Sequence, residues 1–157
     1  CSVRRQRQMC IRDRGKILNN ESFIEGGGIY IDGGSLNAEG ISFEYNNGFD
    51  FGGAISANES IIDLNHLTFV HNISGTGSVF SLYSSIFSIR NSILWDNSIS
   101  YFYAPAENGL SSLTFEFVNM ENGENSITTL EDVIFDNIFS ITDQDPLFCD
   151  FENKILR

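Results

Sequence analysis

Phe43-Glu44-Tyr45-Asn46 returns twenty-six residues later as Phe69-Val70-His71-Asn72, and twenty-five residues after that as Leu94-Trp95-Asp96-Asn97. Twenty-six residues earlier it stands as Ile17-Leu18-Asn19-Asn20. A second motif keeps the step: Gly26-Gly27-Gly28-Ile29, Gly52-Gly53-Ala54-Ile55 and, decayed, Gly77-Ser78-Val79-Phe80. A period of this size marks a solenoid, in which each repeat buries its apolar face only by stacking on its neighbours.

Stacking the repeats gives apolar columns: Ile29/Ile55/Phe80, Ile31/Ala57/Leu82, Leu36/Ile62/Phe87, Ala38/Leu64/Ile89 and Ile17/Phe43/Phe69/Leu94. Within a repeat these positions often lie two apart, which is the strand period. Polar residues such as Asn37, Asp63 and Ser88 fall between them and are expected to face water. Phe, Ile, Ser and Asn abound and only two prolines occur, a composition that suits strands. Each coil is therefore expected to hold three short strands separated by bends. Gly26, Gly27, Gly52, Gly53 and Gly77 are expected to supply one bend, where positive φ is needed. Asn20, Asn46, Asn72 and Asn97 are expected to supply another. Asn tolerates left-handed backbone, and stacked Asn side chains can bond from coil to coil as a structural ladder.

The fold expected is all-β, a right-handed parallel β-helix with coils of about 25–26 residues, truncated at both ends. Gly-Gly-Ala-Ile and Phe-x-x-Asn resemble the repeats of polymorphic outer-membrane autotransporter passengers. Asn91-Ser92-Ile93-Leu94-Trp95-Asp96-Asn97 and Asp145-Pro146-Leu147-Phe148 resemble secreted β-helix proteins of the choice-of-anchor type, in which Asp-Pro-Leu-Phe follows the last regular coils. Both belong with the pectin-lyase-like superfamily, and the resemblance runs over about residues 15–150. Leu64-x-x-Leu67-x-Phe69-x-x-Asn72 also fits a leucine-rich repeat. Its neighbours fit that pattern less well, since Ala38 and Ser92 stand at leucine positions.

Residues 1–14 differ from the rest. They hold five of the nine basic residues, and Arg4–Arg14 resembles a translated sequencing-library adapter, a non-native segment excluded from fold reasoning. Residues 15–100 read as regular coils and 101–150 as irregular final coils. Within the latter, Tyr101-Phe102-Tyr103 is expected to lie in a loop, Ser112–Val118 in a strand, and Asp143–Phe148 in an exit element. Phe135-Asp136-Asn137 echoes the repeat motif, and 151–157 reads as a truncated tail.

Without the first fourteen residues four basic side chains remain (Lys16, Arg90, Lys154, Arg157) against twenty acidic ones. That balance opposes nucleic-acid binding and anionic membrane surfaces. No apolar run reaches the length of a membrane span, so direct membrane insertion is not expected. Cys149 is the one cysteine beyond residue 14, which leaves no disulfide framework. High negative charge suits an extracellular or outer-surface setting, or divalent cations.

No catalytic, cofactor-binding or metal-binding residue is assigned. Arg90, between Ile89 and Asn91, reads as a solvated strand residue. No column of the regular coils stacks two acids, as a glycoside hydrolase would need. Asp143, Asp145 and Asp150 have a spacing that could serve calcium but lack the glycines of a calcium loop. His66 and His71 lack a third zinc ligand, and Cys149 lacks the context of a nucleophile. Trp95, Tyr101, Phe102 and Tyr103 form an aromatic group; Trp95, Tyr101 and Tyr103 are candidate glycan contacts.

Together these features point to a structural, adhesin-like, secreted or surface-displayed β-helix. Its expected partner is a glycan or a host or cell-surface protein, with self-association through open coil ends in isolation. Two alternatives stay open. One is a piece of a polysaccharide-active lyase or hydrolase whose catalytic coils lie elsewhere; the other is a virus-tail β-helix acting on glycans.

Overall fold

The computed structural model describes residues 15–98, 101–104, 111–129 and 134–146. The chain winds as an all-β, right-handed parallel β-solenoid. One coil runs Ile29–Asp32, Ser35–Glu39, Ile41–Glu44 and Asn47–Phe51. The next repeats it as Ile55–Asn58, Ile61–Asn65, Thr68–Val70 and Ile73–Thr76. A coil thus holds four short strands rather than three. The additional strand is Asn47–Phe51, and Ile73–Thr76 in the next coil, between the Asn corner and the Gly-Gly corner.

All strand pairing given by the registers is parallel, and the registers are those of the repeat. Ile29 faces Ile55 and Ile55 faces Phe80; Leu36 faces Ile62 and Ile62 faces Phe87. Ile17 faces Phe43, Phe43 faces Phe69 and Phe69 faces Leu94. Because side chains alternate across a strand, a fixed register sends these columns inward together. Phe43, Ile55, Ala57, Ile62, Leu64, Phe69, Phe80, Leu82, Phe87, Ile89 and Leu94 are all buried. A spine of rings runs through the core: Phe43 stacks on Phe69 at 4.8 Å, Phe69 meets Phe80 edge-on at 4.8 Å, and Phe80 stacks on Phe102 at 4.8 Å.

Each corner is made by one residue in the left-handed region. The four corners carry Gly26/Gly52/Gly77, Gly33/Glu59/Ser84, Gly40/His66/Asn91 and Asn19/Tyr45/His71/Asp96. A non-glycine residue there costs roughly 1–2 kcal/mol, so stacking has to hold it in place. It does so through the backbone: Asn19 N–H donates to the Glu44 carbonyl at 3.1 Å, Tyr45 to Val70 at 3.2 Å and His71 to Asp96 at 3.0 Å. The corners are therefore hydrogen-bonded from coil to coil, as the strands are.

Two sequence expectations change. First, the coil continues past Asn97. Phe102–Ala104 is a strand, not a loop: Phe102 faces Phe80, and Ser112–Met120 lies against Ile86–Arg90 and Ile93–Trp95. Phe102 follows Phe80 by only twenty-two residues, while Ser112 follows Ile86 by twenty-six. The step into Phe102 is about four residues short, and the ten residues from Phe102 to Ser112, against six from Phe80 to Ile86, restore the ordinary period, so the repeat is hidden without being broken. Second, Phe135-Asp136-Asn137 is not a further copy of the Asn motif. Phe135 faces Leu113 and Asn137 faces Thr114, in the strand one corner earlier. The adapter-like residues 1–14, the tail 151–157, Cys149 and Asp150 lie outside the described residues. Among the described residues no helix is long and apolar enough to cross a membrane.

Candidate functional site

Asn46 and Asn72 are fully buried, at a position where an unpaired amide would be costly. Each is satisfied by its neighbours. Asn20 Nδ2 donates to Asn46 Oδ1 at 3.0 Å, Asn46 Nδ2 to Asn72 Oδ1 at 3.0 Å, and Asn72 Nδ2 to Asn97 Oδ1 at 3.0 Å. The same oxygens accept from the backbone N–H of the preceding rung's Asn, at 3.2, 3.2 and 2.9 Å. The amides also reach back to the carbonyls of Ile17, Phe43 and Phe69 at 2.9, 2.9 and 3.0 Å. The left-handed residue is not the Asn, as expected from sequence, but the one before it: Asn19, Tyr45, His71 and Asp96 have φ of 54, 55, 54 and 51°. That residue turns the chain and aims the following Asn inward.

A second ladder escaped the sequence reading. Gly34 N–H donates to Ser60 Oγ at 3.2 Å, Ser60 N–H to Ser85 Oγ at 3.1 Å and Ser85 N–H to Ser111 Oγ at 3.2 Å. Each serine likewise follows a left-handed corner where one is described, Glu59 or Ser84. The signal was present: Ser60, Ser85 and Ser111 keep the same step as the asparagines.

The Gly-Gly pairs divide two tasks. Gly26, Gly52 and Gly77 carry the positive φ, at 62, 60 and 61°. Gly27 and Gly53 are needed for space. A Cβ on Gly53 would strike the Ser78 carbonyl and come within 2.5 Å of the Ile73 carbonyl oxygen. A Cβ on Gly27 would strike the Gly53 carbonyl.

The candidate glycan aromatics separate. Tyr101 is buried, and its hydroxyl donates to Glu121 Oε2 at 2.7 Å. Burial first, then the hydrogen bond and charge of Glu121, push its phenol well above the usual tyrosine range. Phe102 is buried in the core. Trp95 is half-buried and lies beside Val70. Tyr103 is half-buried and joins two rings not singled out from sequence: it stacks on Phe51 at 5.7 Å and meets Tyr83 edge-on at 6.1 Å. Tyr83 and Tyr103 lie on the outer face of the sheet Ile29–Asp32, Ile55–Asn58, Phe80–Tyr83 and Phe102–Ala104, and Phe51, at the end of Asn47–Phe51 in the neighbouring sheet, packs its ring against both. The same face carries Ser56, whose hydroxyl donates to Glu25 Oε2 at 3.2 Å, and Asn58, which donates to Asp32 Oδ1 at 2.7 Å. Tyr30, on this face, has its phenol pushed up by desolvation and then by Asp32 and Glu25. Ser81 Oγ is buried there without a partner among the described residues. Ser56 and Ser81 are fully buried; the rings of Tyr83, Tyr103 and Phe51 beside the Asn58 amide and Asp32 carboxylate are the accessible groups, a chemistry that suits a sugar ring.

The other singled-out side chains are engaged in local pairs. Arg90 Nη2 donates to Asp63 Oδ1 at 2.6 Å, and Lys16 Nζ to Glu44 Oε1 at 3.0 Å. His66 lies 3.6 Å from Glu39 and His71 3.6 Å from Asp96, and His71 stacks on Tyr45 at 4.5 Å. Among the described residues no three His, Cys, Asp or Glu side chains gather as a metal would need.

The fold and its ladders define a parallel β-solenoid. No known protein-family profile matches the chain. No solved structure matches it either. Among curated proteins it is similar to the Metabotropic glutamate receptor-like protein R of Dictyostelium discoideum, at 35% identity over 106 residues. The match covers 66% of this chain, which spans 6% of the length of that relative.

Proposed function

We propose that this chain is a non-catalytic, adhesin-like scaffold module of a secreted or surface-displayed protein, a rigid stalk that holds its outer faces toward a glycan or cell-surface partner. The observation that carries this reading is the continuity of the stacking. Strands, corners and the two polar ladders are all bonded from coil to coil, so the coils form a stiff rod whose interior polar groups serve architecture. The similarity supports a modular role: the match covers 6% of a much longer protein whose name calls it receptor-like. The motifs resembling autotransporter passengers and choice-of-anchor proteins favour the same setting. Phe51, Tyr83 and Tyr103, with Asn58 beside them, are the face we assign to glycan contact. Presenting the chain to an immobilised glycan array tests this. Binding that falls about tenfold in Tyr83→Ala/Tyr103→Ala, with no product released from pectin or alginate with or without calcium, is expected. Release of unsaturated uronides would overturn the scaffold reading in favour of a polysaccharide-active enzyme.

A further inference from the structure

The three-stranded sheet of Glu21–Ser22, Asn47–Phe51 and Ile73–Thr76 carries an apolar surface that the folding of the coil does not need. Phe23 is 92% exposed, Phe49 64%, Ile24 61% and Ile73 48%. They stand on three successive rungs: Glu21 and Asn47 face each other, as do Ser22 and Gly48, while Ile73 faces Asn47. The Ile24 carbonyl accepts from Asp50 N–H at 3.2 Å and Phe51 N–H at 3.0 Å, so the Phe23–Ile24 bend is pinned to the Phe49–Asp50 bend. Single exposed hydrophobics are ordinary, but four gathered on one narrow face are the kind of patch that marks an interaction surface.

Charge selects the occupant. Glu21 and Asp50 are exposed in this sheet, and Glu25 adjoins it at the Phe51 bridge. The two basic side chains within the described residues are both occupied, Lys16 with Glu44 and Arg90 with Asp63. A second copy of this chain would bring Glu21, Glu25 and Asp50 against their own kind, and an anionic lipid surface would be repelled. Phenylalanine and isoleucine side chains offer no polar handle for sugar hydroxyls. We infer that this face docks a protein segment that alternates apolar side chains with lysine or arginine. The apolar side chains would cover Phe23, Ile24 and Phe49, and the cations would meet Glu21 and Asp50. Once covered, such a surface has a desolvated aromatic centre and a charged rim, the usual anatomy of a small interface.

The test uses the full chain and a dye-labelled peptide alternating lysine and leucine, with two control peptides in which either the lysines or the leucines are serine. Fluorescence anisotropy should show binding of the first peptide only. Phe23→Ser/Phe49→Ser should weaken it about tenfold with the thermal midpoint unchanged, since both rings are solvent-facing. Glu21→Gln/Asp50→Asn should weaken it by roughly threefold and flatten its salt dependence. Three results would overturn the inference. One is equal binding by the phenylalanine variant, which would reveal general attraction to an acidic protein. Another is a dimer in sedimentation that the same variant abolishes, which would make a second copy the occupant. The third is peptide binding that appears only after residues 1–14 are deleted, which would make this chain's own arginine-rich segment the occupant. The glycan array described above reads a different face. Loss of its signal in the tyrosine variant, with peptide binding intact, separates failure of one assignment from failure of the other.

Discussion

Replacing Asn72 with leucine probes the ladder at its best-connected point. Asn72 is fully buried. Its Oδ1 accepts from the Asn46 backbone N–H at 3.2 Å and from Asn46 Nδ2 at 3.0 Å, and its Nδ2 donates to the Phe43 carbonyl at 2.9 Å. Leucine has the same branching, with bulkier methyl groups, and offers none of these bonds. The Asn46 backbone N–H is then left inside the solenoid without that acceptor, at about 1–3 kcal/mol, and the Phe43 carbonyl loses a bond of about 1 kcal/mol. The Asn97 oxygen keeps its bond to the Asn72 backbone N–H, 2.9 Å long, so it adds little. The expected loss is about 2–4 kcal/mol, a large share of a typical domain's stability. With a urea slope of about 2 kcal/mol/M the midpoint falls by roughly 1–2 M. Asn37→Leu, at an exposed position in the sheet, should move stability by under about 0.5 kcal/mol. Equal shifts in the two variants, or a negligible one for Asn72→Leu, would refute the ladder as a structural element.

Gly53→Ala should be more damaging than Gly33→Ala, because a Cβ at Gly53 strikes two carbonyl oxygens while Gly33 has open space around it. At Gly33 only the positive φ of 63° is strained, at roughly 1–2 kcal/mol, and paired denaturant melts rank the two. Ser85→Ala removes the acceptor of the Ser60 N–H and should cost about 1–3 kcal/mol, against little for Ser88→Ala, in the same melts. Tyr101 supplies a pH prediction. Its phenol holds its proton more tightly in the folded chain than in the unfolded one. That contribution is complete below about pH 10 and is lost as pH rises above it, because the unfolded chain ionises first. Tyr101→Phe should therefore flatten the alkaline limb of the stability profile, measured by thermal melts across that range.

Much of the fold was legible because a solenoid writes its register into the chain. A residue and its structural neighbour are one period apart, so Ile29, Ile55 and Phe80 could be placed in one column from sequence alone. The corners were less legible. Left-handed backbone falls on Tyr45, His71 and Glu59, residues that do not advertise it, because the inter-coil hydrogen bonds enforce what local preference opposes. The coil beyond Asn97 was hidden by a change in spacing, and spacing was the signal being read. Tyr101 could not be told from Tyr103, because residues two apart share one side of a strand; they separate because Tyr101 lies before the strand Phe102–Ala104, where that alternation does not hold. The Phe51–Tyr83–Tyr103 group was out of reach for a related reason. Its members come from three different coils at unequal spacings and meet only on the outer surface.

The central claim is that stacking register runs all the way round the coil, and paired cysteines test it most directly. In a background with Cys1, Cys10 and Cys149 changed to serine, Asp63→Cys/Ser88→Cys and Asn47→Cys/Ile73→Cys place thiols on facing residues of opposite walls. Adjacent rungs lie about 4.8 Å apart, within the reach of a disulfide, whereas a slip of two residues takes the Cα atoms to roughly 8 Å, beyond it. Mild oxidation and mass spectrometry should find both in-register pairs cross-linked and the slipped pair Asp63→Cys/Arg90→Cys free. Cross-linking at Asp63/Ser88 alone would indicate strands on one wall only, as in a leucine-rich repeat. Cross-linking of the slipped pair in preference to the facing one would contradict the register itself.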